Sequence, residues 1–262
     1  VKAQPIMPFE HRKEVDLSPY NTLGLPSVCQ YLGRFESAND LQHAFEFAQK
    51  DRVPCFVMGG GSNILLPEYL PGVVLMSSDA SIHVNGDEVT VGAGASWDNL
   101  VAETLKMGLF GLENLSSIPG TVGAAPIQNI GAYGVELDRF VVSVEVLDAQ
   151  SGLAETLMAD DCQFQYRDSL FKRHPERFVV TRLTLKLNPR FEPVLAYQDL
   201  QTLSAQSTAS PQGLRRAIQS VRAQKLPDYR IVGNVGSFFK NPILSKTVIE
   251  TLEQSHVIHR NA

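Results

Sequence analysis

The sequence predicts an α+β fold. Helical-period and period-two segments occur in one chain. Strands follow one another across a hairpin signal, without a regular strand–helix alternation. Hydrophobic residues make up 44% of the chain and charged residues 19%, enough for a buried core under both kinds of element.

After a polar leader, NTLGLPSVCQYLG opens the ordered part. In NDLQHAFEFAQKD, Leu41, Phe45 and Ala48 share one helical face, with Asn39 or Asp40 as the cap. VPCFVMGGGSNILL is a short apolar strand that stops on three glycines and a tight loop. VVLMSS, SIHV and VTVGAGA are strands, the last two joined at Asn85-Gly86. SWDNLVAETLKMG is a helix capped by Ser96 and stopped by Gly108. Residues 114–135 carry no charge, four glycines and two prolines, so neither helix nor ordinary surface loop fits. VVSVEVLDAQSGLAETLMADD and FVVTRLTLKL return to strand patterning. SPQGLRRAIQSVRAQKLP is a helix entered by Ser-Pro, and KTVIETLEQSH is a last short one.

A length of 262 residues predicts one large or two modest domains. Twenty-three basic against 28 acidic residues leave a net charge of −5, which argues against nucleic acid or a membrane surface as the main partner. Cys29, Cys55 and Cys162 form neither a paired framework nor a zinc motif, and a reducing, cytoplasmic compartment is expected. The six histidines fall in no ligand pattern, so no metal is expected; His256 and His259 read as solvated. The opening stretch has no apolar signal core.

Four stretches carry chemistry. In GGGSN, Gly59, Gly60 and Gly61 allow consecutive N–H groups to converge on an anion, and Ser62 and Asn63 add donors; a plain turn is the other reading. No Walker or Rossmann glycine pattern completes there. SSIPGTVGAAPIQNIGAYG is a small-residue surface on which a large flat cofactor with a diphosphate could lie, with Gln128, Asn129 and Tyr133 as neutral hydrogen-bonding groups; a buried crossing segment is the alternative. In FQYRDSLFK, Arg167 is either held by Asp168 or another carboxylate, or is a cation for a developing oxyanion. In GNVGSFFKNP, Ser237 lacks the GxSxG context of a hydrolase nucleophile, but a hydroxyl can protonate a strong carbon base.

These stretches, in this order, resemble the UDP-N-acetylenolpyruvoylglucosamine reductase family, and LAYQDL resembles its tyrosine-loop subgroup. The resemblance runs from about Asn21 to Pro242. It implies a vanillyl-alcohol-oxidase/PCMH-type FAD fold: a leader at 1–20, subdomains at 21–76 and 77–226 (the FAD unit being about 25–190), and part of a substrate domain at 227–262. It implies FAD held by Gly59 to Asn63 and by Ile118, Pro119, Gly120, Gly123, Ala124, Gln128, Asn129, Gly131, Ala132, Tyr133 and Gly134. NADPH is the implied hydride donor. Arg167 would stabilise the enolate and Ser237 would protonate the neighbouring carbon, with Phe238 and Phe239 walling off water. Tyr166, Tyr197, Lys225 and Asn241 match substrate-binding positions for a sugar nucleotide, and a monomer is expected. The family's catalytic glutamate lies in a segment past Ala262, so the chain as written is expected to be a fragment or a weak or inactive reductase. A flavin-dependent alcohol or sugar oxidase, or a non-catalytic flavin- or nucleotide-binding module, are the alternatives.

Overall fold

A computed structural model of the chain describes residues 9–255. His256 and His259 lie outside the described residues. The first unit contains β1 (His11–Asp16), β2 (Val28–Phe35), α1 (Ala38–Asp51), β3 (Cys55–Val57) and β4 (Tyr69–Ser77). Its sheet has the order β1-β2-β4-β3; β1 is antiparallel to β2, while β2 and β3 both run parallel to β4. β1 falls inside the polar leader. As an edge strand with mostly exposed side chains it needs no apolar alternation, which is why its sequence, HRKEVD, does not read as a strand.

The cap of α1 is Ser37, not Asn39 or Asp40. Ser37 Oγ accepts the Asp40 N–H, and the Asp40 carboxylate accepts the Ser37 N–H at 2.9 Å. Asp40 therefore serves as the third helical residue of a capping box. Leu41, Ala44 and Ala48 face a buried cluster that includes Val73 and Leu75 of β4 together with Leu147 and Val179 from the second unit. That shared cluster fixes the two units against each other.

The second unit begins with β5 (Ile82–Asn85) and β6 (Glu88–Gly92), followed by α2 (Trp97–Lys106). Asn85 pairs with Glu88, so the hairpin loop is Gly86–Asp87, one residue beyond the Asn-Gly signal. Gly86 has φ of +64°, the positive value a tight hairpin needs at its first loop position. Ser96 caps α2 as expected, and Gly108 takes φ of +74° just after it. A two-residue hairpin, β7 (Gly131–Ala132) and β8 (Val135–Glu136), comes next. Then follow β9 (Val141–Asp148), β10 (Ala154–Met158), α3 (Leu170–Arg173) and β11 (Phe178–Lys186). The larger sheet is antiparallel throughout, ordered β10-β9-β11-β6-β5. Trp97 anchors its core and donates its indole N–H to Leu115 O at 3.0 Å.

Two short helices, α4 (Gln198–Gln201) and α5 (Ala205–Thr208), lead into α6 (Pro211–Lys225), capped by Ser210. Leu214 and Ile218 of α6 cluster with Tyr133 and Leu200. Arg215 reaches Asp98 of α2 at 2.7 and 2.8 Å. These contacts bring α6 and its last turn over the β7–β8 hairpin. Residues 226–245 are irregular and mostly exposed before α7 (Lys246–Gln254). Among the described residues no helix is long and apolar enough to cross a membrane, and no cluster could hold a metal.

Candidate active site

The two glycine-rich stretches, far apart in sequence, lie against each other. GGGSN leaves the end of β3. A β-carbon on Gly60 would stand 2.8 Å from Gly120 Cα, and one on Gly59 would stand 2.8 Å from Ala124 Cβ. Ser62 Oγ donates to Pro119 O at 3.0 Å, and Asn63 Nδ2 to Gln128 Oε1 at 2.6 Å. Gly61 has φ of +60° and packs on the backbone of Tyr20 and Asn21. Only glycine permits this backbone-to-backbone approach. The far side of the second loop is pinned to α2 and to the residue just after β6: the backbone N–H of Trp97 donates to Gly120 O, and Gly123 N–H to Ala93 O. The paired loops are uncharged, so an anion there would be met by backbone N–H dipoles.

The second half of the same stretch seats Arg167. Its Nη2 donates to Gly131 O at 2.6 Å, and its Nη1 to Glu136 Oε1 at 3.2 Å and Asn129 O at 3.4 Å. The carboxylate partner is Glu136, since Asp168 pairs with Arg173. Tyr166 lies beneath the guanidinium, its ring centroid 5.1 Å from Arg167 Cζ. Asn129 is fully buried, and its side chain is used within the protein: it donates to Gln165 O and accepts Asp138 N–H. It shapes the loop from inside. Ile118 and Ala132 pack against the main core cluster.

Tyr133 and Gly134 form the turn of the β7–β8 hairpin, with φ of +50° and +81°. Tyr133 is buried, which pushes its phenol up, and meets Tyr197 edge-on at 5.5 Å. Two residues on, Asp199 holds Lys225 Nζ. The tyrosine loop, the hairpin and the end of α6 thus converge.

Ser237 is exposed, on a segment tethered at two points. Asn234 N–H donates to Thr22 O at 2.9 Å, beside the GGGSN loop. Lys240 Nζ lies 5.5 Å from the Tyr166 ring centroid, next to Arg167. Ser237 lies between these two contacts in the chain. The expected water screen is corrected: Phe238 and Phe239 are 66% and 83% exposed and meet mainly each other, at 5.0 Å. Asn241 is exposed as well.

A sequence profile described as an FAD binding domain matches residues 30–157. The chain is 40% identical over 258 residues to UDP-N-acetylenolpyruvoylglucosamine reductase of Pseudomonas fluorescens strain Pf0-1, covering 95% of this chain and 76% of that one. It is 40% identical over 241 residues to the enzyme of the same name from Escherichia coli K12, covering 90% and 70%. The chain belongs to the UDP-N-acetylenolpyruvoylglucosamine reductase family. The crystal structure of the Thermus caldophilus reductase superposes with a TM-score of 0.68 at 28% identity, covering 93% of this chain and 81% of that one. A cholesterol oxidase matches at a TM-score of 0.52 and 19% identity, a likeness of fold alone. The fold is therefore the α+β FAD-binding type, shared with these reductases and similar to that of this oxidase.

The residues present fit FAD. The glycine loops form a close, uncharged cradle. Beside it Thr22 Oγ1 is buried without a hydrogen-bond partner among the described residues, while Thr22 N–H donates to Gly61 O at 3.0 Å. Such an orphan hydroxyl is free to hydrogen-bond a ligand lying against the loops. Sequence reasoning missed Thr22, whose only local signal is its position in NTLG. It also missed Glu136, which nothing nearby in the sequence links to Arg167.

Proposed function

We propose that this chain is an FAD-dependent, NADPH-using reductase. It converts the enolpyruvyl ether of UDP-N-acetylglucosamine enolpyruvate to the lactyl ether of UDP-N-acetylmuramate, a peptidoglycan precursor. The observation that carries the reading is Arg167: its guanidinium is fixed beside the glycine loops with one edge left without a partner among the described residues. When bound, FAD supplies the hydride transfer between NADPH and the far carbon of the enolpyruvyl double bond. Arg167 holds the substrate carboxylate as it gathers enolate charge. Ser237 Oγ then gives its proton to the carbon next to that carboxylate, completing the addition of one hydride and one proton. A serine does this only toward a strongly basic carbon in a site closed to water. Phe238 and Phe239 are exposed in this state, so the reading requires the 233–241 segment to close when substrate binds.

Lys225, Tyr197 and Asn241 would receive the sugar nucleotide, Lys225 exchanging Asp199 for phosphate. The FAD cradle would comprise Gly59 to Asn63, Ile118, Pro119, Gly120, Gly123, Ala124, Gln128 and the hairpin residues Gly131 to Gly134, with Thr22 added; Asn129 acts through the loop it shapes. The four-stranded and five-stranded sheets would be the two FAD subdomains, with residues 227–262 part of the substrate domain. A cytoplasmic monomer belongs to the same proposal. Its free thiols support a reducing compartment, and burial pushes Cys55 and Cys162 up to about 12, leaving them unreactive.

The test is spectroscopic. The purified chain reconstituted with FAD should bleach on NADPH addition, and the oxidised spectrum should return on adding the enolpyruvyl sugar nucleotide without oxygen. Flavin that NADPH does not bleach would leave only a flavin-binding module, and flavin that bleaches and never returns would remove the enolpyruvyl sugar nucleotide as the acceptor.

A further inference from the structure

Arg167 can serve an enolate only if its guanidinium faces the substrate in one orientation, and the β7–β8 hairpin beside it supplies two of its three acceptors. β7 and β8 pair Gly131 with Glu136 directly across the hairpin. From these two opposed residues come the Gly131 carbonyl, at 2.6 Å from Nη2, and the Glu136 carboxylate, at 3.2 Å from Nη1. The guanidinium sits so close above the hairpin that a β-carbon on Gly131 would lie 2.7 Å from Nη1. Asn129 O takes the other Nη1 proton. Three of five N–H groups are thereby engaged. Nε–H and one Nη2–H have no partner among the described residues, and Nε and Nη2 form one edge of the planar group. That edge is the fork a planar carboxylate binds in bidentate fashion.

We propose that Glu136 is a positioning residue for Arg167: from the β7–β8 hairpin it occupies Nη1 and so turns the Nε–Nη2 edge toward the carboxylate of the substrate. The proposal rests on the reading of Arg167 given above. A carboxylate beside this cation would otherwise be counterproductive, because it offsets charge the enolate needs. Its place on the end opposite the open edge resolves the conflict: orientation is gained and the fork stays free. The pair is about one third exposed on each side, 29% for Arg167 and 33% for Glu136, so stability of the fold gives little reason for it.

The test uses the full-length, FAD-loaded protein with Glu136→Ala, Glu136→Gln and Arg167→Ala, singly and combined. Reoxidation of the reduced flavin by the enolpyruvyl sugar nucleotide is followed without oxygen. Binding of that ligand and of UDP-N-acetylglucosamine, which lacks the carboxylate, is followed by calorimetry. Glu136→Ala should slow reoxidation by roughly 10- to 100-fold, the scale of a small misplacement of a catalytic group. It should weaken the carboxylate ligand more than the one without it. Glu136→Gln, which keeps an acceptor oxygen, should recover most of the loss, and it is the variant to use if Glu136→Ala does not fold. In the Arg167→Ala background Glu136→Ala should add nothing. Equal losses in both backgrounds, or equal weakening of both ligands, overturn the positioning role. If Arg167→Ala itself leaves reoxidation unchanged, the assignment of Arg167 falls, and with it this proposal.

Discussion

Gly60→Ala isolates the cradle from every other feature of the fold. The φ of Gly60 is not positive, so alanine meets no backbone penalty there. The whole effect is steric. The added β-carbon would stand 2.8 Å from Gly120 Cα, where ordinary contact begins at 3.4 Å, and the obstacle is backbone, which has no rotamer to yield. The two loops must separate by several tenths of an ångström. Overpacking of this kind costs about 1–3 kcal/mol. If FAD binds across the two loops, most of that falls on the bound state, and about 1.4 kcal/mol per factor of ten converts it to a roughly 5- to 150-fold weaker affinity. The assay is reconstitution of flavin-free protein, with the dissociation constant read from flavin fluorescence and apo-protein stability measured in parallel. Gly86→Ala is the control. Its φ of +64° makes alanine strained, yet nothing lies within 4 Å of the new carbon. It should lower apo stability by about 1 kcal/mol and leave FAD affinity unchanged. If Gly60→Ala behaves like the control, with lost stability and intact affinity, the paired loops are not the FAD cradle.

Three other substitutions test separate links. Ser237→Ala should slow return of the oxidised flavin spectrum about 10²–10⁴-fold, far more than it slows bleaching by NADPH; equal slowing of both would remove the proton-donor role. Arg215→Ala should destabilise the protein by about 2 kcal/mol in urea titrations at neutral pH, because Asp98 loses two charged hydrogen bonds. Burial alone would raise the Asp98 carboxyl, but Arg215 and the Ser117 N–H together bring it below its ordinary 3.8. The stability it contributes is therefore present above 3.8 and lost as pH falls through the folded value, so the effect of Arg215→Ala should shrink in strong acid; an undiminished effect there would contradict the pairing. Glu113 is 3% exposed, with Oε1 unpartnered among the described residues and Oε2 accepting the Gly111 N–H, and burial raises its carboxyl above the ordinary 4.5. A raised carboxyl favours the fold below 4.5 and loses that contribution as pH rises through the folded value. Glu113→Gln should thus gain about 1 kcal/mol on the native protein between mildly acidic and neutral pH, read as a growing melting-temperature difference; a constant difference would contradict the burial argument.

Local chemistry was legible in the sequence, and long-range pairing was not. Ser96, Ser210 and Gly108 do what their types do at helix ends, because a cap is a matter of neighbours. Gly59 to Gly61 and the 114–135 stretch stood out because neither helix nor strand tolerates such composition. Which residues those glycines accommodate was out of reach: Ser62 bonds to Pro119 and Asn63 to Gln128, each across more than fifty residues. Asn129 shows the opposite limit. A neutral amide in a glycine-rich loop reads as a ligand donor, and only burial reveals that both ends of it are used by Gln165 and Asp138. The exposed Phe238 and Phe239 fail for the same reason, since an aromatic residue in sequence carries no statement of what covers it.

The backbone around Arg167 adds an argument that the side chains do not. Gln165 and Asp168 exchange hydrogen bonds at 3.0 and 3.1 Å, which makes Tyr166–Arg167 a two-residue turn with Arg167 at φ of +53°. Glycine or asparagine would take that position with less strain. Asn129 at +44° and Tyr133 at +50° are left-handed too, and the first of them supplies a carbonyl to Arg167 while the second turns the hairpin that supplies the other two oxygens. Each such residue costs about 1–3 kcal/mol and survives only where the surroundings over-determine it. Here three strained residues converge on one guanidinium, about one third exposed, whose ion pair adds little to stability. A sequence selected for folding alone would put glycine in the turn at Arg167. That it holds the one side chain able to fork onto a carboxylate is a conflict between local preference and observed residue, and such conflicts mark the places where a fold has been bent to its chemistry.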